Sequence, residues 1–226
     1  MKKVDGLALA QFLERPLHGG SKPILRIEAF PNQTPFSLSF LSREVSEALS
    51  PAPEGALVIA PSGARAALLD AGYAVIESSV PKYDLARAFH AVIKETPEPG
   101  IHPSAVIEGP VKLGEGVIIG PGCVLQGRVE VGDGCRLGAH VCLLNDVTLG
   151  KEVRILNGAL IGEDANSFGF GPGGSCFRFP SSGGVRIGEG VEIGNNAVIV
   201  RGVSGDTVLE EYSKIYDFAP HFPYGS

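Results

Sequence analysis

Between Ile101 and Ile161 every sixth residue is aliphatic, without a break: Ile101, Ile107, Leu113, Ile119, Leu125, Val131, Leu137, Leu143, Leu149, Ile155 and Ile161. The residue four places after each of the first ten is small or β-branched, from Ala105 and Val111 through Cys123 and Cys135 to Ala159. Glycine often follows the aliphatic, as at Gly114, Gly120, Gly132, Gly138, Gly150 and Gly162. A helix cannot use this pattern, because its apolar stripe repeats at 3.6 residues and Gly, Val and Pro disfavour it. A flat amphipathic strand would alternate at two. A six-residue step fits short strands joined by tight turns, each sending one aliphatic inward. Three such strands close one triangular turn of a β-helix, and successive turns stack ~4.8 Å apart.

The rhythm breaks after Ile161. Residues 162–186 are Gly-rich and contain the run from Ser167 to Gly174, with Phe168 and Phe170. They are expected to form a loop extruded from a corner, which leaves the stack intact. Inward positions resume at Ile187, Ile193 and Ile199, skip, and end at Leu209 and Ile215, giving about five turns over 101–217. Residues 218–226 lose the pattern and are expected to be an irregular tail.

The first 95 residues read differently. Helical patterns are expected over 4–14, 42–49, 63–71 and 82–94, and strands over 24–30, 37–41, 56–60 and 73–77. Alternating strands and helices predict a small α/β domain. Thr96-Pro97-Glu98-Pro99-Gly100 cannot be helical and is the expected linker, residues 96–100.

Composition narrows the function classes. The 226 residues carry a net charge of −6, which argues against a nucleic-acid binder. The five histidines have no metal-ligand spacing, and nothing calls for a metal or a cofactor. Cys123 and Cys135 fall on small inward positions and read as core fillers, Cys142 precedes an inward Leu, and Cys176 lies in the Gly-rich loop. Unpaired cysteines, no signal peptide and no stretch long enough to span a membrane predict a cytoplasmic protein.

The order of these parts, with Ser39-Phe40-Leu41, the run Ile101 to Ile107, Lys112-Leu113-Gly114, Phe168-Gly169-Phe170, Ile187 to Gly194, Arg201-Gly202 and Asp206-Thr207, resembles one family. It is that of the UDP-3-O-acylglucosamine N-acyltransferases of lipid A biosynthesis, against whose pattern this chain is short at its C-terminus. The resemblance implies an α/β N-terminal domain of nucleotide-binding type, followed by a left-handed parallel β-helix of hexapeptide repeats. It also implies a homotrimer with sites between subunits, and transfer of a 3-hydroxyacyl group from acyl carrier protein to the amino group of a UDP-linked 3-O-acylglucosamine. A histidine would act as general base. Strict register from Ile215 puts Pro223 at the family's base position, and His221 stands two residues earlier. His221 becomes the base only if two residues are deleted ahead of it, and His140 in a turn is the next candidate. Phe40, Phe168 and Phe170 are candidate substrate contacts, although each also fits local packing. Six residues after Phe40, where the family carries an aromatic partner for uracil, stands Ser46. Two other readings remain open: an acyltransferase acting on another nucleotide-linked amino sugar, and a homologue without catalysis that binds or assembles.

Overall fold

The structure is a computed structural model that describes residues 4–43, 48–89 and 98–221, His221 by its backbone alone. The chain divides into two compact units, Met1–Thr96 and Pro97–Ser226.

In the first unit four parallel strands lie side by side in chain order: Arg26–Ile27, Ser37–Phe40, Leu57–Ala60 and Ala74–Glu77. Leu17–His18 adds an antiparallel edge beside Ala74–Glu77. Helices α1 (Gly6–Leu13) and α3 (Pro81–Ala88) share one core, in which Leu9, Leu13, Leu38, Ile59 and Ile76 are buried. Helix α2 (Ser62–Asp70) shares the other, with Val58, Ala64, Leu68 and Val75. The central strands read Leu57-Val58-Ile59-Ala60 and Ala74-Val75-Ile76-Glu77, apolar on both faces because helices cover both. Asp5 starts α1 by accepting the Leu7 N–H at 2.8 Å.

Some expected elements shift. The strand expected over 24–30 is two short ones, because Pro23–Ile24 pairs with Val4–Asp5 in a separate small sheet while Arg26–Ile27 joins the main sheet. The helix expected over 42–49 is not seen at residues 42–43 or 48–49, and residues 44–47 lie outside the described residues. The helix expected to reach Lys94 is described as far as Ala88, and His90 also lies outside.

The second unit is a parallel β-helix. Its rungs pair in parallel, 18 residues apart through the early coils. One face stacks the strands of Ile101, Ile119, Leu137, Ile155, Ile193 and Ile215. The second stacks those of Ile107, Leu125, Leu143, Ile161, Ile199 and His221. The third stacks those of Leu113, Val131, Leu149, Ile187 and Leu209. Ile119, Leu125, Leu137, Leu143, Ile155, Ile161 and Ile193 are fully buried, as are the small residues Cys123, Val129, Cys135, Val141 and Val153. The exceptions are Ile101, Ile107 and Leu113 on the first rung, which are exposed because a terminal rung has a stacked neighbour on one side only.

The extruded segment is shorter than expected and more regular. Gly162–Asp164 stay in the coil, where Glu163 and Asp164 pair with Val200 and Arg201 past a bulge, and Val185–Ile187 is already the next strand. Between them Phe168–Phe170 and Cys176–Arg178 form an antiparallel hairpin. Its base is closed by Phe179 N–H donating to Ser167 O and by the buried Ser181 hydroxyl accepting from Ala165 N–H at 3.1 Å. The tail also differs from expectation. Pro220–His221 continue the second face beside Val198–Ile199, and residues 222–226 lie outside the described residues.

Candidate functional site

The corner between the first and second faces is a column of residues with positive φ: Gly122, His140, Gly158, Asn196 and Phe218. Glycine takes that conformation freely, whereas other residues need a reason to be there. Here the glycine and the larger residue complement each other. A Cβ on Gly122 would lie 2.4 Å from His140 Nδ1, and one on Gly158 would lie 2.3 Å from Asn196 Oδ1. The His140 and Asn196 side chains therefore each rest over a glycine one coil earlier, where no side chain can compete for the space.

The backbone around His140 is held on both sides. Its own N–H donates to Pro121 O at 2.8 Å, Ala139 N–H donates to Asn157 Oδ1 at 2.8 Å, and Gly158 N–H donates to Ala139 O at 2.9 Å. The Asn157 contact belongs to a ladder in which Asn195 and Asp217 likewise accept a backbone N–H from the preceding coil. The result is an exposed imidazole on a rigid corner, with no hydrogen bond to its ring among the described residues. Such a ring is free to take a proton from a nucleophile that approaches it.

His221 is placed differently. Its backbone pairs with that of Ile199, whose side chain is buried, and Ile215 pairs with Ile193. The step from Ile215 to His221 thus matches the step from Ile193 to Ile199, with no two-residue deletion between them. His221 holds an inner register position, and Pro223 lies outside the described residues.

Phe40 ends its strand half-buried against the core of Leu9, Leu38 and Ile76, so packing accounts for it. Ser46 lies outside the described residues. Phe168 and Phe170 point to one side of the hairpin, and Phe177 to the other. Phe170 is 81% exposed and Phe177 is 78% exposed. Gly169 is left bare because the Phe179 ring lies over it, 3.3 Å from where a Cβ would be. Of the remaining histidines, His18 Nε2 stands 3.3 Å from Glu77 Oε2 and His102 Nδ1 stands 2.9 Å from the Ser104 hydroxyl.

Two of the cysteines, Cys123 and Cys135, are buried packing residues. Cys123 and Cys135 thiols donate to Gly138 O and Gly150 O, and burial pushes the Cys135 thiol up to about 11. Neither is a thiolate near neutral pH.

Pattern reading missed the ion ladder at the foot of the hairpin. Asp146 is paired with Arg128 and with Arg186, whose Nη1 lies 2.8 Å away, and Arg186 Nε reaches Asp206 at 2.9 Å. Asp164 pairs with Arg201 at 2.6 Å. Hydrogen bonds from Arg186 and then Arg128 hold the Asp146 carboxyl well below the usual carboxylate range. The signal was available, since Arg128 and Asp146 are one coil apart, but Arg186 reaches Asp146 only across the insertion. A shallow depression of about 590 Å³ lies over the first face at Leu156, Gly194, Lys214 and Tyr216.

The family described as bacterial transferase hexapeptide (six repeats) matches residues 98–127 and 113–145. Together with the stacked rungs, this marks the coils from residue 98 to 145 as hexapeptide repeats. In sequence the chain's relatives are UDP-3-O-acylglucosamine N-acyltransferases, the family its motifs resemble. The one from Paracidovorax citrulli is 36% identical over 201 residues, covering 87% of this chain and 60% of that protein. The one from Delftia acidovorans is 35% identical over 205 residues, covering 88% of this chain and 60% of that protein. The chain therefore spans about 60% of the length of these relatives. The acetyltransferase domain of PglB from Neisseria gonorrhoeae aligns with a TM-score of 0.42 and 17% identity over 82% of this chain and 78% of that one, too loosely to bear on function. No helix among the described residues is long and apolar enough to cross a membrane.

Proposed function

We propose that this chain is an N-acyltransferase that moves a 3-hydroxyacyl group from acyl carrier protein to the amino group of a UDP-linked 3-O-acylglucosamine, in the cytoplasm, as a homotrimer of left-handed prisms. The observation that carries this reading is the relationship to named acyltransferases over nearly nine-tenths of the chain, first unit included. In this reading residues 1–95 hold the nucleotide, 96–100 link the two parts, and 101–217 carry the chemistry. Phe168 and Phe170 cover the acyl chains, and Phe40 contributes to the nucleotide side.

The chemistry asks little of the protein. The amine nitrogen bonds to the thioester carbonyl carbon, the C–S bond breaks, the amine proton passes to a base, and the thiolate leaves. Imidazole suits that proton near neutral pH. His140 is the base that the geometry favours, because its ring stands exposed on a corner fixed from both sides. His221 is the second candidate.

The register of His221 also favours a second reading: a homologue that binds a UDP-sugar and assembles without transferring an acyl group. One assay separates them. The protein is incubated with 3-hydroxyacyl carrier protein and UDP-3-O-acylglucosamine, and the N-acyl product is followed. Losing the base costs ~10²–10⁴-fold in rate, so His140→Ala is expected to fall in that range while His221→Ala changes little. The reverse result moves the role to His221. No product, with UDP-sugar binding intact, selects the second reading.

A further inference from the structure

Large apolar side chains face solvent on both sides of the extruded hairpin. Directly paired residues of an antiparallel ribbon share a side, so Phe168 and Phe170 lie with Arg178 and Cys176 on one, and Phe177 lies with Gly169 on the other. Phe179 joins that second side, where its ring lies over Gly169. All four phenylalanines are exposed. A two-stranded ribbon has no interior, so none of them is there to fill a core.

Charge sets the same segment apart. Residues 165–188 contain no Asp or Glu, the longest acid-free run in a chain of net charge −6. Of the two arginines in that run, Arg186 is held by Asp146 and Asp206. Arg178 is exposed and has no ion-pair partner among the described residues. The tip answers several of its own polar groups: Gly171 N–H donates to Ser175 O at 2.9 Å, and the Ser175 hydroxyl donates to Pro172 O at 3.2 Å.

We infer that the hairpin is a membrane-surface contact, its phenylalanines entering the boundary between headgroups and acyl chains of an anionic bilayer while Arg178 stays among the headgroup phosphates. The two-sided exposure selects this occupant. An acyl chain lying along Phe168 and Phe170, as in the proposed function, covers one side and leaves Phe177 and Phe179 in water. A protein surface packed on the ribbon also covers one side. A lipid interface surrounds the ribbon and covers both. Charge selects the headgroup: an unpaired cation is drawn to anionic lipid, and the acid-free run spares the hairpin the repulsion that the rest of the chain would meet there. The backbone sets the depth. The outer N–H and C=O groups of a two-stranded ribbon need water or headgroups, so insertion stops at the interface. Strands of three residues reach ~10 Å, comparable to the ~5–10 Å that interfacial segments penetrate.

The test sediments the full chain with vesicles of equal parts phosphatidylcholine and phosphatidylglycerol, with folding checked by circular dichroism. Wild type is expected to bind, and Phe170→Ser with Phe177→Ser to lower the partition at least tenfold. Tyr216→Ser, which removes an exposed aromatic outside the hairpin, is expected to bind as wild type does. Arg178→Glu is expected to weaken binding to the mixed vesicles severalfold and to match wild type on phosphatidylcholine alone. A polarity-sensitive dye on Cys176, in a Cys142→Ser background, leaves the phenylalanines in place, and its emission is expected to shift to the blue when vesicles are added. Wild type that ignores the vesicles overturns the inference. So does a double variant that binds as before, a Tyr216→Ser protein that loses binding equally, or a dye that does not respond. A double variant that changes its oligomeric mass but not its vesicle binding assigns the hairpin to a protein contact and also overturns it. Phe177→Ser alone separates lipid from substrate: weaker vesicle binding with an unchanged KM for the acceptor supports the inference, and a raised KM with unchanged vesicle binding overturns it. Vesicle binding by a protein that transfers no acyl group leaves the inference standing and overturns the proposed function. Transfer by a protein that ignores vesicles does the reverse.

Discussion

In the coils Leu125 and Leu143 are wholly buried, whereas in the hairpin that leaves them Phe170 and Phe177 are more than three-quarters exposed. The coils are held by their contents, since each rung fills the prism and covers the next. The hairpin is held at its foot, by the Ala165–Ser181 and Ser167–Phe179 hydrogen bonds. Substitutions should therefore act on stability in the coils and on binding in the hairpin.

The largest expected effect is in the prism core. Leu143→Ala removes a fully buried side chain with rungs on both sides, and should cost about 2–5 kcal/mol by chemical denaturation. Next comes Gly122→Ala, which puts a Cβ at positive φ where the His140 ring lies. A loss of about 1–2 kcal/mol is expected, together with a fall in transfer rate that Gly116→Ala, with nothing within 4 Å of its Cβ, does not reproduce. Asn157→Ala leaves the Ala139 N–H without its acceptor and should cost about 1 kcal/mol in thermal unfolding.

Asp146 ties three successive coils together through Arg128 and Arg186. Its folded pKa lies below the unfolded value, so its contribution is fully present above roughly pH 4 and is lost as pH falls through the folded pKa. An acid titration of wild type against Asp146→Asn should show the two stabilities converging below that pH. A constant gap would remove the carboxylate from the account. The smallest stability effect is expected for Phe170→Ser, within about 0.5 kcal/mol, with a raised KM for the acylated acceptor as its measurable consequence.

Much of the prism could be read from the sequence because one geometric rule repeats. Each inward position from Ile119 to Ile161, and again from Ile187 to Leu209, is buried where the six-residue step put it. The step cannot foresee open ends, so Ile101, Ile107 and Leu113 look like core and stand exposed. Nor does it describe an insertion, because the Phe168–Arg178 pairing follows alternation at two, in a segment dominated by glycine. In the first unit, Ile24 and Arg26 belong to different sheets, a division made by tertiary pairing that no local pattern carries. For the candidate site, the sequence placed His140 in a turn, as the structure does, but ranked it behind His221 as a base. The vacant Gly122 beneath it, and the Asn157 that fixes its backbone, are neighbours only after the coils stack.

The most direct measurement is the mass of the acceptor sugar after incubation with wild-type protein and 3-hydroxyacyl carrier protein. The account predicts a gain of one 3-hydroxyacyl group as an amide, at a rate lowered at least a hundredfold by His140→Ala. An acceptor that is bound but unchanged in mass would contradict it.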